Sequence, residues 1–307
     1  MSTMLVLKPG MLTTVQDLGR WGYQDSGVPV AGPMDPYSHR LANRLVGNRD
    51  DAATLEVTVV GPDLVFEGDV TFAVSGAIFP LTLAGAPIPN DTACCATSGS
   101  QLRFGIRTRG ARAYLAVQGG VDVPQVLGSR ATSLISAMGP LGGRPLVAGD
   151  RLPVGHGSGG GVEYGQPLAL PTGGARLRVI WGPQADYFTE AARQTLAAAR
   201  YHITPQSNRM GYRLTGPTLE HVGSADILSE ATPPGSLQVP ASGLPILLMA
   251  DRQTTGGYPK IATVITADLP LAGQLVPGDW IGFEPCTPDE ARHALLAMEA
   301  RLGDLDE

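Results

Sequence analysis

Lys260 is one of only two lysines in a 307-residue chain that carries twenty arginines, and it closes the polar stretch Asp251-Arg252-Gln253-Thr254-Thr255-Gly256-Gly257-Tyr258-Pro259-Lys260. An ammonium is a compact charge that can approach a single oxygen, whereas a guanidinium is a planar fork suited to carboxylates and phosphates. Two adjacent glycines let successive backbone N–H groups converge into an anion-binding concavity, and the lysine follows directly. The expectation is that Lys260 and the amides of Gly256 and Gly257 stabilise negative charge, with Gln253, Thr254 and Tyr258 against the bound molecule. The plain alternative is a β-turn between two strands. Asp251 and Gln253 end the apolar run 244–250, which predicts that they stand at the mouth of a buried strand, where active groups are displayed.

Two further segments mix amide, carboxylate and arginine with glycine, the chemistry that grips a small polar ligand by directed hydrogen bonds. In 204–213, Asn208 and Tyr212 are candidate substrate contacts and Arg209 a candidate bidentate clamp on a carboxylate or phosphate. The alternative is a turn at Ser207-Asn208 with Arg209 solvated. In 13–23, Gln16, Asp17 and Arg20 are candidate partner-interface or ligand-orienting groups. Here the alternative is a local Asp17–Arg20 ion pair with Trp21 packed in a core.

Familiar catalytic signatures are missing from the sequence. It contains no H-E-x-x-H, no G-x-S-x-G and no G-x-x-x-x-G-K-[ST]. The five histidines (39, 156, 202, 221 and 293) have no metal-ligand spacing, so no metal centre is expected.

The elements that must hold these segments are short. Forty glycines and 26 prolines interrupt nearly every apolar run, which predicts a mainly β architecture with a few helices. Asp35-Pro36 is an N-cap and first-turn pair for a helix ending near Gly47, and Thr287-Pro288-Asp289-Glu290 is a capping box opening a final helix to about Leu302. A third helix is expected from about Asp186 to Ala199. Glycine and proline crowd residues 155–175, so the chain divides into an N-terminal domain 1–160, a linker 161–174 and a C-terminal domain 175–307. Residues 155–160 satisfy G-x-G-x-x-G, but no helix can follow and no βαβ unit surrounds them, which excludes a dinucleotide fingerprint.

Each half closes alike, on Leu146-Val-Ala-Gly149-Asp150-Arg-Leu152 and Leu275-Val-Pro-Gly278-Asp279-Trp-Ile281; Gly61-Pro62 and Gly216-Pro217 hold comparable early places. The echo points to two related β-barrels. A net charge of −6 without a basic stripe argues against nucleic acid, leaving a small molecule or another protein as partner. Cys94, Cys95 and Cys286 cannot form a disulfide framework, and no run of about 18 apolar residues exists, so the expectation is a cytoplasmic protein without membrane association.

The strings TTVQDLGRWGYQDSGVPVAGPMDPYSHRLANRLVGN, ITPQSNRMGYRLTGP and GSLQVPASGLPILLMADRQTTGGYPKIATVITADL resemble the biotin-dependent carboxyltransferase family. That family includes allophanate hydrolase subunit 2-type proteins, KipA-like proteins and the C subunit of bacterial 5-oxoprolinase, and the likeness runs from about residue 5 to 285. It implies two cyclophilin-like β-barrel domains and a partner subunit that completes the active site. The 5-oxoprolinase branch is the better match for this compact chain. It implies work with the KipI-like B and the A subunits of that enzyme to open 5-oxoproline to glutamate with ATP, the ATP site lying partly or wholly on the partner. There Lys260, Arg209 and Asp251 would be catalytic. The alternatives are a carboxyltransferase subunit using carboxybiotin and a non-catalytic, KipA-like regulator of a partner protein. Neither Lys8 nor Lys260 sits in a biotinyl-lysine Met-Lys-Met motif, so biotin is not expected on this chain.

Overall fold

The computed structural model describes residues 2–157 and 165–303. The chain forms two compact units: residues 1–20, 31–170 and 301–307 make the first, and residues 21–30 and 171–300 the second. The short segment 21–30 therefore belongs with the C-terminal unit although it lies early in the sequence. Residues 161–164 of the expected linker lie outside the described residues, as does part of the 155–160 glycine motif.

In the first unit the strands are β1 Thr3–Lys8, β2 Leu12–Gln16, β3 Thr54–Thr58, β4 Asp63–Glu67, β5 Val70–Ile78, β6 Leu81–Leu83, β7 Ala86–Ile88, β8 Cys94–Ala96, β9 Gln101–Phe104, β10 Arg109–Val117 and β11 Arg151–Pro153. They form a six-stranded sheet ordered β11-β1-β4-β9-β6-β7 and a five-stranded sheet ordered β2-β3-β10-β5-β8. This unit is built as two sheets over one core. Met4, Leu64, Phe66 and Leu102 from one sheet pack with Leu55, Val57, Phe72, Val74 and Leu115 from the other, all at most 1% exposed. The alternation of inward residues along β1 and β4 is the period-2 signature of strands with one buried face. β5 and β10 instead are buried nearly throughout, because helix α1 (Pro36–Leu45) covers their other face. Asp35 caps α1 as predicted, accepting from Ser38 N at 2.9 Å and Ser38 Oγ at 2.6 Å, with proline at the first helical position. A four-residue turn, α2 (Pro140–Gly143), follows β10.

The second unit is a closed barrel. Its strands are β12 Gly174–Trp181, β13 Arg200–Ile203, β14 Gly211–Thr215, β15 Glu230–Ala231, β16 Ser236–Gln238, β17 Ile246–Leu248, β18 Thr255–Gly256, β19 Lys260–Val264 and β20 Trp280–Pro285. Seven of them close the ring β12-β19-β16-β17-β14-β13-β20, while β15 and β18 form a separate two-stranded ribbon. Leu177, Val179, Tyr201, Leu214, Leu237, Leu247, Ile261, Ile281 and Phe283 fill the interior at 2% exposure or less. Ring closure removes the edges that so many short strands would otherwise leave open. The helices are α3 Glu190–Ala198, α4 Leu269–Gly273 and α5 Pro288–Arg301, whose last residue falls with the first unit. α3 starts later than the sequence suggests, because Thr189 is its N-cap and Ala185–Tyr187 is a separate 3-10 turn. The capping box of α5 is formed: Thr287 N donates to Glu290 Oε2 at 2.7 Å and Glu290 N to Thr287 Oγ1 at 3.2 Å.

The Leu-Val-x-Gly-Asp echo is a repeated turn. Val147 N donates to Asp150 Oδ2 at 2.8 Å, and Val276 N to Asp279 Oδ2 at 3.0 Å. Gly149 and Gly278 sit at φ 92° and 96°, a conformation that favours glycine. Gly149 N donates to Val6 O in one unit and Gly278 N to Ile203 O in the other, each at 2.8 Å. Gly61-Pro62 and Gly216-Pro217 do not match in this way: the first precedes β4, the second follows β14.

Candidate functional site

Three of the barrel's antiparallel strands build one wall of a cavity of about 180 Å³, lined by Asn208, Gln238, Gln253 and Tyr258 among others. Asn208 lies in the turn before β14, where its Oδ1 accepts from Met210 N at 2.8 Å, an Asx turn that fixes the loop. Gln238 ends β16 directly opposite Lys260 in β19. Its Oε1 accepts from Gln253 Nε2 at 3.2 Å, while its buried Nε2, packed under Gly256, has no partner among the described residues.

Behind Gln238, Lys260 is almost fully covered, with a side chain 3% exposed. Its Nζ lies 3.0 Å from Glu230 Oε2, and Gln184 Nε2 donates to the same oxygen at 2.9 Å. Gln184 also accepts from Lys260 N through Oε1 at 3.1 Å, so one glutamine braces both partners. The Lys260 hydrogen bond, with that from Gln184, holds the Glu230 carboxyl below its ordinary pKa. Glu230 is half-exposed, and among the described residues Oε1 has no partner. The arrangement therefore presents an ionised carboxylate oxygen outward, fixed from behind by an ammonium and an amide.

The glycines act differently from the expectation. Thr255–Gly256 is strand β18, paired with Glu230–Ala231 in β15, and neither Gly256 nor Gly257 has a positive φ. An anion-binding nest requires alternating backbone handedness, so this pair does not form one. Gly256 is needed for close approach: a Cβ there would lie 2.4 Å from Gln238 Nε2 and 3.2 Å from Gln253 Nε2. The ribbon thus sets Glu230 over Lys260 and lets the two glutamines pack beneath it.

Arg209 and Asp251 are brought together, but onto each other. Nε and Nη2 of Arg209 donate to the two carboxylate oxygens at 3.0 Å each, in a pair buried to 5% and 1% exposure. Asp251 N also donates to Arg209 O at 2.9 Å. The expected free clamp is a buried fork-to-carboxylate bridge between the loops that carry Asn208 and Gln253, which positions those amides. Tyr212 points away from the cavity, buried at 2%, with its hydroxyl donating toward Ala272 O at 3.2 Å. Thr254 lines a neighbouring cavity that shares Gln253 as a wall.

Gln16, Asp17 and Arg20 are buried in the first unit, at 8% exposure or less. Gln16 Nε2 donates to Thr132 O at 3.0 Å, Asp17 accepts from Ser129 Oγ at 2.6 Å, and Arg20 donates to Val126 O and Ala131 O at 2.8 Å each. They anchor the segment around 126–132. Trp21, beside them in sequence, is 58% exposed and belongs to the second unit.

Sequence reasoning missed Gln184, Glu230 and Gln238. Gln238 carries a weak signal as a polar residue between the apolar Leu237 and Val239; Glu230 and Gln184 carry none, because their roles arise from pairing with Lys260 across 30 and 76 residues.

The sequence profile described as "Carboxyltransferase domain, subdomain A and B" matches residues 26–285. The 5-oxoprolinase C subunit of Escherichia coli (strain K12) is 40% identical over 289 residues, covering 94% of this chain and 93% of that protein. The 5-oxoprolinase C subunit of Haemophilus influenzae is 38% identical, covering 91% and 89%. Among solved structures, the K. lactis urea amidolyase matches with a TM-score of 0.94 and 33% identity over 99% of this chain, which spans only 20% of that longer protein.

Proposed function

The chain belongs to the carboxyltransferase domain family, subdomains A and B, and from that membership we propose that it is the C subunit of an ATP-dependent 5-oxoprolinase, opening 5-oxoproline to L-glutamate with the B and A subunits. One observation carries the choice within the family. The likeness to the 5-oxoprolinase proteins covers nearly all of both partners, whereas in the urea amidolyase the same region is one part of a longer chain.

The chemistry the site offers suits a lactam. A lactam is a resonance-stabilised amide with an N–H donor and a polarised oxygen, and its oxygen must be activated, for instance by phosphorylation from ATP, before water attacks. Glu230 Oε1 accepts the ring N–H or orients the water, and Lys260 holds that carboxylate in its charged form. The amides of Asn208, Gln238 and Gln253 line the cavity as neutral hydrogen-bonding groups for the ring. Arg209 and Asp251 position the amides, and Gly256, Gly257, Thr254 and Tyr258 shape the walls. The chain has no Walker-type phosphate loop, so ATP as a substrate is handled with the partner subunits.

Co-purification with the cognate B and A subunits, followed by assay of ADP and glutamate release from 5-oxoproline, tests the reading. Turnover that needs all three chains and ignores avidin supports it. An avidin-sensitive carboxyl transfer in its place points to the carboxybiotin reading, which the urea amidolyase likeness favours.

A further inference from the structure

Arg252 is the one residue of the lysine loop with a buried charge and no counter-charge. It is 8% exposed, and its guanidinium donates only through Nε, to Thr232 O at 2.7 Å. Its two terminal nitrogens bond no group of the described residues, and Arg252 lines a cavity of about 310 Å³ at the lower end of the size usual for small-molecule sites. Burial pulls its pKa down to about 10, so it still carries its proton at neutral pH. A buried cation without a partner is costly, and a guanidinium offers a planar two-donor edge that matches a carboxylate.

The rest of the cavity narrows the ligand. Trp21, Pro233 and Pro234 give apolar surface, Gln24 and Thr254 give neutral polar groups, and Arg252 is the only charged lining residue. One positive charge balances a monoanion. A phosphate dianion would leave charge uncompensated.

We propose that this cavity is a carboxylate subsite for a small ring-shaped acid, with the carboxylate on the Arg252 fork and the ring against Trp21. The identity of the ring as a lactam rests on the proposed function; the anion specificity rests on Arg252 alone. Gln253 is the shared wall between this cavity and the one lined by Asn208 and Gln238, so a bound acid lies one side chain from those amides.

Ligand-observed NMR titration of the full chain tests this, with 5-oxoproline, cyclopentanecarboxylate, 2-pyrrolidinone and inorganic phosphate as probes. The two carboxylates should bind, with 2-pyrrolidinone at least about tenfold weaker. Arg252→Gln should weaken both carboxylates about 10- to 100-fold, as expected for losing charge-assisted hydrogen bonds, and leave 2-pyrrolidinone unchanged. Trp21→Ala, at an exposed position, should weaken all three rings and keeps the test intact if Arg252→Gln does not fold. Carboxylate binding that is absent, unchanged in either folded variant, or displaced more readily by phosphate overturns the subsite. In the assembled enzyme, 5-oxoproline turnover with an unchanged KM in Arg252→Gln overturns the subsite but not the function. Arg252-dependent binding of cyclopentanecarboxylate without any turnover overturns the function but not the subsite.

Discussion

Arg209 and Asp251 face each other across two hydrogen bonds of 3.0 Å, with side chains 5% and 1% exposed. A pair this deeply buried is weak evidence of net stabilisation, but removing one partner strands the other charge. Asp251→Ala and Arg209→Ala should each cost about 3–5 kcal/mol in urea unfolding. An Arg209→Met, Asp251→Leu double variant should recover most of that loss while still impairing activity, because the amides of Asn208 and Gln253 lose their brace. Single variants of wild-type stability would contradict the bridging role.

Lys260 and Glu230 make a different kind of pair, one member buried and the other half-exposed. Lys260→Met keeps the aliphatic stem and removes the charge. In the assembled enzyme it should lower kcat about 100-fold, the scale of one general acid–base group, because Glu230 loses the ammonium that holds it ionised and in place. Glu230→Gln should also lower kcat and abolish the acidic limb of the pH profile. If both variants only lower the melting temperature and leave kcat intact, the pair is a clip for the β15–β18 ribbon and nothing more.

Gly256 tests the packing of the two glutamines. Gly256→Ala places a methyl group 2.4 Å from Gln238 Nε2, and the amide must swing away from Gln253 to accommodate it. The expected stability loss is about 1–3 kcal/mol, typical of overpacking. Substrate KM should rise more than kcat falls, since the displaced amides line the cavity. An unchanged KM would show that neither glutamine contacts substrate.

His39 predicts an acid-side weakness of the first unit. It is fully buried, with Nδ1 2.9 Å from Thr54 Oγ1 and Nε2 3.0 Å from Asp50 O. Burial outweighs the attraction of Asp17, Glu56 and Asp50 and lowers its pKa to about 4 from 6.5. The unfolded chain then binds the proton first as pH falls, so this contribution to stability is intact above pH 6.5 and is lost progressively down to about pH 4. The full loss is ~3 kcal/mol. His39→Gln should be less stable at pH 7.5 but show a flatter decline between pH 6.5 and 4 in melting experiments. An equal slope in both proteins would assign the acid sensitivity to other groups.

What the sequence determined by itself is local. The Asp35 cap of α1, the Thr287–Glu290 box of α5 and the paired turns at Gly149-Asp150 and Gly278-Asp279 each close within four residues, so the side chain that makes the bond is legible beside the backbone that receives it. The β-rich class was equally plain from glycine and proline spacing, and long contiguous strings carried the family. Tertiary structure decided what those residues do. Arg209 and Asp251 are 42 positions apart, and only the β14–β17 pairing turns a candidate clamp into an internal bridge. Lys260 meets Glu230 and Gln184 because barrel closure and the β15–β18 ribbon bring distant loops onto β19. Gly256 looked like part of an anion-binding turn, yet its hydrogen side chain is required by a glutamine from another strand. A charged group's role depends on which counter-charge reaches it, and that is fixed by strand register over the whole barrel.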